Sequence, residues 1–245
     1  MKRALLHLIA ALAWVTALPA QAAGGTESES TVSATQPLGV DTMAQRMLAC
    51  AACHGKQGQA TRAGYFPRIA GKPAGYLYNQ LKNFQDGRRY NAAMDVLLVN
   101  LSDAYLHEIA DYFAALDLPY PPATTNGLGA TQQQLAQTLV RDGAPERRIP
   151  ACAACHGAEL AGRLPSVPGL LTLPAYYLSG QLGAWRTGAR HAAPPDCMAD
   201  IARRLRPEEI GAIAQWLSAQ TLPKGTHPEA SSAQPLPLRC GSVAP

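Results

Sequence analysis

The chain has 245 residues, of which 47% are hydrophobic and 16% charged, with a formal net charge of +4. Loss of Lys2 and Arg3 with a leader would leave 19 of the 21 basic residues against 17 acidic ones. No Lys/Arg cluster is interleaved with aromatics, so a nucleic-acid or acidic-membrane partner is excluded.

Residues 1–22 read as a secretory signal peptide. Lys2 and Arg3 precede an apolar run from Ala4 to Leu18, and Ala20-Gln21-Ala22 supplies a small-residue cleavage site. The run is shorter than the roughly 20 residues a membrane span needs, and His7 interrupts it. Residues 23–40 are rich in Ser, Thr and Gly and read as a flexible segment.

A helical stretch is predicted over 42–54. It ends in Cys50-Ala51-Ala52-Cys53-His54, followed by Gly55. A second helix covers about 74–86, and Met94 falls in a loop before a third. Ser102 is a good N-cap for that third helix, and Leu106, Ile109, Ala110 and Phe113 form one apolar stripe along it. A linker over 119–127 contains Pro119, Pro121 and Pro122. The pattern then returns: helix within 131–156 ending in Cys152-Ala153-Ala154-Cys155-His156, helix over 175–187, and Met198 in a loop. The final helix has Pro207 at its first position, Glu208 and Glu209 in its first turn, and an Ile210, Ile213, Ala214, Leu217 stripe. Residues 223–245 form a Pro-rich tail. No strand alternation is visible, so the fold class is all-α.

The second half repeats the first. "FPRIAGKPAGYLYNQLKNFQDG" from Phe66 aligns with "VPGLLTLPAYYLSGQLGAWRTG" from Val167 at an offset of 101. This pairs Pro67 with Pro168, Tyr76 with Tyr177, Gln80 with Gln181, Phe84 with Trp185 and Arg89 with Arg190. The offset then becomes 104, pairing Met94 with Met198.

Cys-x-x-Cys-His is the covalent attachment sequence of a c-type haem. Cysteines one helical turn apart reach the two vinyl groups, and the adjacent histidine is delivered under the iron. Two copies predict two haem c groups, held by Cys50 and Cys53 and by Cys152 and Cys155, with His54 and His156 as proximal ligands. Four propionates would make the loaded protein near neutral or mildly acidic. Half a chain of about 80 residues has little core of its own, so each half should fold around its porphyrin, with Phe84, Tyr112, Trp185 and Trp216 packed in that core.

A sixth ligand decides between open chemistry and closed electron transfer. Met94 and Met198, one per half at matched positions, are the candidates; Met43 and Met47 lie too near the first motif to cross to the opposite face. His107, His191 and His227 compete, but none recurs in the repeat. A carbonyl at Pro67 and at Pro168 could accept the proximal histidine's second N–H. Arg89 and Arg190 are either propionate partners or solvated side chains. Cys197 and Cys240 remain; outside the cytoplasm a disulfide is expected, the alternative being two free thiols.

With both haem motifs and both methionine segments placed, the chain resembles the dihaem cytochrome c4 family. The resemblance rests on "CAACHG", "FPRIAGKPAGYLYNQLKNFQDGRR", "LSDAYLHEIADYFAAL", "IPACAACHG" and "MADIARRLRPEEIGAIAQWL", and covers roughly residues 42–220. It implies two tandem class I cytochrome c domains, 41–118 and 128–222, related by a pseudo-twofold axis with the haems facing each other near the interface. It also implies a periplasmic electron carrier, not an enzyme, between a cytochrome bc complex or a dehydrogenase and a terminal oxidase. We expect a monomer and leave peripheral membrane association through the tail open. Competing readings are a cytochrome subunit of a dehydrogenase or flavocytochrome, a dihaem peroxidase, and zinc or thiol–disulfide chemistry at the Cys-x-x-Cys pairs.

Overall fold

The computed structural model describes residues 41–61, 65–222, 226–231 and 235–243. The signal-peptide and flexible-segment assignments over 1–40 lie outside the described residues.

In the first half, Thr42 caps α1 (Met43–Arg46) with a reciprocal Gln45 bond, and α2 (Leu48–His54) carries the Cys-x-x-Cys-His motif. α3 (Ala74–Gln85) starts after Pro73, which suits a helix entry because its missing N–H needs no partner there. α4 (Ala92–Leu98) and α5 (Asp103–Ala114) follow. Ser102 caps α5 through the Tyr105 N–H, and Leu106, Ile109, Ala110 and Phe113 are all buried, as the stripe requires. Burial of Leu106, Ile109 and Phe113 contributes about 1.5–3 kcal/mol each.

The second half repeats the order: α6 (Ala130–Arg141), α7 (Cys152–His156), α8 (Ala175–Thr187), α9 (Cys197–Arg204) and α10 (Pro207–Ser218). α10 packs between α6 and α8, burying Ile210, Ile213, Ala214, Trp216 and Leu217. Of the four aromatics assigned to the core, Phe84 and Trp216 are buried, while Tyr112 and Trp185 are half-buried.

Three local features differ from expectation. Met94 and Met198 lie on short helices, not in loops. Asn91 accepts the Met94 N–H and Asp196 accepts the Ala199 N–H, so a side-chain N-cap nucleates a helix at each site. A two-stranded antiparallel hairpin, β1 (Gly162–Arg163) and β2 (Val167–Pro168), interrupts the otherwise helical fold. The tail adds to it: the Leu164 N–H donates to the Glu229 carbonyl, and the Glu229 N–H donates to the Gly162 carbonyl. No described helix is long and apolar enough to cross a membrane.

The linker ties the halves together. Arg68 of the first half donates to the carbonyls of Leu118 and Pro119 and lies over the Tyr120 ring, while Thr124 donates to the Ser218 carbonyl at the end of α10. The Asn79 amide on α3 donates to the Ser242 carbonyl, so the end of the tail also touches the first half.

Candidate haem-binding site

On α2 and α7 the cysteines are three apart and the histidine follows, so all three side chains share one helical face. Each helix must end at once for the chain to pass under the histidine. Gly55 and Gly157 do this with φ of 77° and 88°, and a Cβ on Gly55 would sit 2.3 Å from the Ala60 carbonyl oxygen.

The Nδ1 of His54 lies 2.9 Å from the Pro67 carbonyl oxygen, and that of His156 lies 2.7 Å from the Pro168 carbonyl oxygen. These bonds fix each ring in the tautomer with Nδ1–H as donor and leave Nε2 as the nitrogen available to a metal. Burial holds both imidazoles below the ordinary pKa of 6.5, only partly offset by those carbonyls, which favours the neutral, ligating form. Burial also raises the thiols of Cys50, Cys152 and Cys155, Cys152 to about 11.

One cavity of about 760 Å³ runs between the halves. Cys50, Cys53, His54 and Met94 line it from the first half, and Cys152, Cys155, His156 and Met198 from the second. Its remaining wall is largely apolar, with Phe84, Phe113, Leu182 and Ile213 among the contributors. His107, His191 and His227 are exposed and outside this wall; His107 stacks on Tyr78 and sits 3.9 Å from Asp103.

The polar part of the wall carries unmet donors. Trp185 Nε1 and Arg190 Nε are buried without a hydrogen-bond partner among the described residues. Arg89 donates to Gln80, Tyr177 and Gln181, and Arg190 to Gln181 and Gln80, so each guanidinium reaches a glutamine of its own half and one of the other. Arg190 is 3% exposed, so the solvated-arginine reading fails: the halves close over it. Burial and then the charge of Arg89 bring it down to about 10, which still leaves a cation at neutral pH. A buried cation with a spare N–H fits an anionic group in the cavity.

The residues present therefore fit a covalently attached haem in each half: paired thiols, a neutral oriented imidazole, a thioether, apolar walls and cationic donors facing the same space. Among the described residues no group of three or more His, Cys, Asp or Glu could hold a metal ion, so each Cys-x-x-Cys pair lacks the further donors a structural zinc site needs.

Cys197 and Cys240 form a disulfide. It joins the residue beside Met198 to the tail, where the Gly241 N–H also donates to the Pro195 carbonyl. The disulfide thus pins the tail beside the cavity, as such a bridge implies, and the residues that line it there, Leu236, Leu238 and Val243, are ones the sequence did not mark. Sequence reasoning also missed Gln80, Gln181, Tyr177 and Lys72; the recurrence of Gln80 as Gln181 in the repeat was the signal for the first two.

No family model matches the chain. It is 38% identical over 171 residues to the thiosulfate dehydrogenase electron acceptor of Stutzerimonas stutzeri (strain A1501), covering 70% of this chain and 78% of that protein. It is 34% identical to cytochrome c4 of Pseudomonas aeruginosa, covering 69% and 82%. Reduced recombinant cytochrome c4 from Pseudomonas stutzeri matches with a TM-score of 0.63 at 28% identity, over 73% of this chain and 96% of that one. Thiosulfate dehydrogenase from Marichromatium purpuratum matches with a TM-score of 0.62 at 32% identity, over 69% of this chain but only 36% of that longer one.

Proposed function

Because this chain belongs to the dihaem cytochrome c4 family, with two tandem class I cytochrome c domains and two covalently bound haem c groups, we propose that it is a periplasmic carrier between an oxidising dehydrogenase or a cytochrome bc complex and a terminal oxidase. The observation that carries this is the single cavity lined by both donor sets, which supports two mutually close redox centres in one chain.

When bound, each haem supplies one-electron exchange between ferric and ferrous iron. The chain's residues do the rest. Cys50 and Cys53 tether the first haem, and Cys152 and Cys155 the second. His54 and His156 would hold the irons through Nε2, oriented by the Pro67 and Pro168 carbonyls, whose acceptance of Nδ1–H makes each ring a better donor. Met94 and Met198, which line the same cavity, would supply the second ligand of each iron. Such ligation would disfavour binding of peroxide or carbon monoxide and raise the potentials, which argues against the peroxidase reading. Arg190 and Trp185, through their unmet donors, and Arg89, through its charge, would be available to the propionates. The apolar walls exclude water, so little rearrangement accompanies each electron.

The donor is best sought among thiosulfate dehydrogenases, since two relatives carry the name of such an enzyme's electron acceptor. A second reading, a standing cytochrome module of that enzyme, is favoured by the match to 36% of a longer thiosulfate dehydrogenase chain. The test is to mix oxidised holoprotein with thiosulfate and a purified thiosulfate dehydrogenase, and separately with quinol and a cytochrome bc complex, following the haem α-band. Rapid reduction of both haems by the first mixture supports the dehydrogenase as donor. Reduction only by the second assigns the bc complex, and no reduction by either overturns the carrier reading.

A further inference from the structure

Lys72 is a buried charged group at the cavity that the proposed electron-carrier chemistry leaves unused. It is 5% exposed, and its Nζ donates across the interface to the Gly169 carbonyl oxygen at 2.8 Å. Gly169 directly follows Pro168, whose carbonyl holds His156. Lys72, Pro168, Gly169 and His156 all line the shared cavity. The first half thus places an ammonium beside the peptide that orients the second half's proximal histidine.

The contact is not reciprocated. At the repeat offset of 101, Lys72 corresponds to Leu173, and Gly169 corresponds to Arg68. Leu173 is a buried aliphatic side chain in the second half's core. Arg68 spends its guanidinium on the carbonyls of Ala70, Leu118 and Pro119 and on the Tyr120 ring, facing the linker. The docking around Lys72 is specific to its half as well. The Gly75 N–H donates to the Pro165 carbonyl, and a Cβ on Gly75 would approach that oxygen to 2.9 Å, whereas the matching residue in the second half is the exposed Tyr176.

We propose that Lys72 is a potential-setting residue acting in trans between the halves: its charge raises the reduction potential of the haem held by the second half. This rests on His156 being that haem's proximal ligand. The physical sign is fixed. A stationary positive charge in a low-dielectric wall disfavours the more positive ferric state, and polarising the peptide after Pro168 weakens that carbonyl as an acceptor, leaving His156 a poorer donor to iron. Both effects stabilise the reduced second haem. One electron moves from the first site to the second, oxidising one and reducing the other, with no bond made or broken.

The experiment uses the haem-loaded full chain with K72M, K72Q and K72R. Burial and then the charge of Arg68 bring the ammonium down to about 7, so potentials are measured at pH 6, where it carries its proton. Spectroelectrochemical titration gives the two potentials, and a parallel M198H series identifies the second haem. K72M and K72Q are expected to shift the single-electron distribution about tenfold toward the first haem, 59 mV for a one-electron couple, with the first haem's potential unchanged and K72R close to wild type. Equal movement of both haems, no movement, or a K72R shift equal to that of K72M would overturn the proposal. A wild-type protein lacking two low-spin haems would instead overturn the ligation reading beneath it.

Discussion

Arg89 and Arg190 are repeat partners that meet each other: their backbones form an antiparallel bridge, and the adjacent His191 N–H donates to the Arg88 carbonyl at 2.6 Å. Their guanidiniums stack over repeat-related rings, Arg89 over Phe84 at 4.6 Å and Arg190 over Trp185 at 3.7 Å. Residues equivalent in the duplication therefore face one another at the centre of the interface, as an approximate twofold arrangement demands. The side chains that join the halves are the same ones that present positive charge to the cavity.

On the proposed function, that coupling would give Arg190 an electronic role beside its structural one. R190M removes the bonds to Gln80 and Gln181, and hydrogen bonds to a charged group are worth about 1.5–3 kcal/mol each. Relief from burying two like charges offsets part of this. We expect a loss of about 2 kcal/mol in denaturant unfolding of the holoprotein and a fall in at least one haem potential. Unchanged potentials would remove the propionate role.

The Cys197–Cys240 disulfide closes a loop of 43 residues that contains Met198. In the chain-entropy view such a loop contributes up to about 4 kcal/mol. In C197S/C240S the tail is released from the segment holding Met198. The iron–sulfur charge-transfer band of the second haem should then disappear at a lower denaturant concentration than that of the first. Simultaneous loss of both bands at the wild-type midpoint would contradict this.

Glu209 is fully buried at the start of α10, where it accepts from Arg147, the Arg206 side chain and the Arg206 N–H. Burial alone would raise its carboxyl, but these bonds outweigh it and hold the group below its ordinary 4.5. A lowered folded pKa gives stability that is present above the unfolded value and lost as pH falls through the folded one. E209Q should cost about 2 kcal/mol at pH 7. It should also flatten the decline in unfolding midpoint below pH 4.5, which a pH series of melts would show.

Much of this architecture was legible because the chain states it twice. The apolar stripe of α5 recurs in α10, and Ser102 and Pro207 mark their starts with capping chemistry that acts within one turn. The short helices bearing Met94 and Met198 were readable in principle from Asn91 and Asp196, but segments of seven and eight residues carry too little periodicity to announce themselves. Lys72 was not singled out by the sequence, because in the repeat it aligns with an apolar Leu173. Its meaning lies in a bond to a residue 97 positions away, which local pattern does not encode. The Glu229 segment of the tail was opaque for the same reason, since distant partners hold it and no helical or strand repetition marks it, whereas the Cys197–Cys240 pairing was legible from two cysteines left over after haem attachment.

Two closed, histidine–methionine haems in one chain would show in the optical spectrum of purified, haem-loaded protein, oxidised and reduced, with and without carbon monoxide. We expect two haems per chain, low-spin spectra in both states, a weak near-infrared iron–sulfur band and no carbon monoxide adduct. Carbon monoxide binding at either haem would contradict this, displacing Met94 or Met198 as a ligand and returning the chain to the class of open, reactive haem proteins.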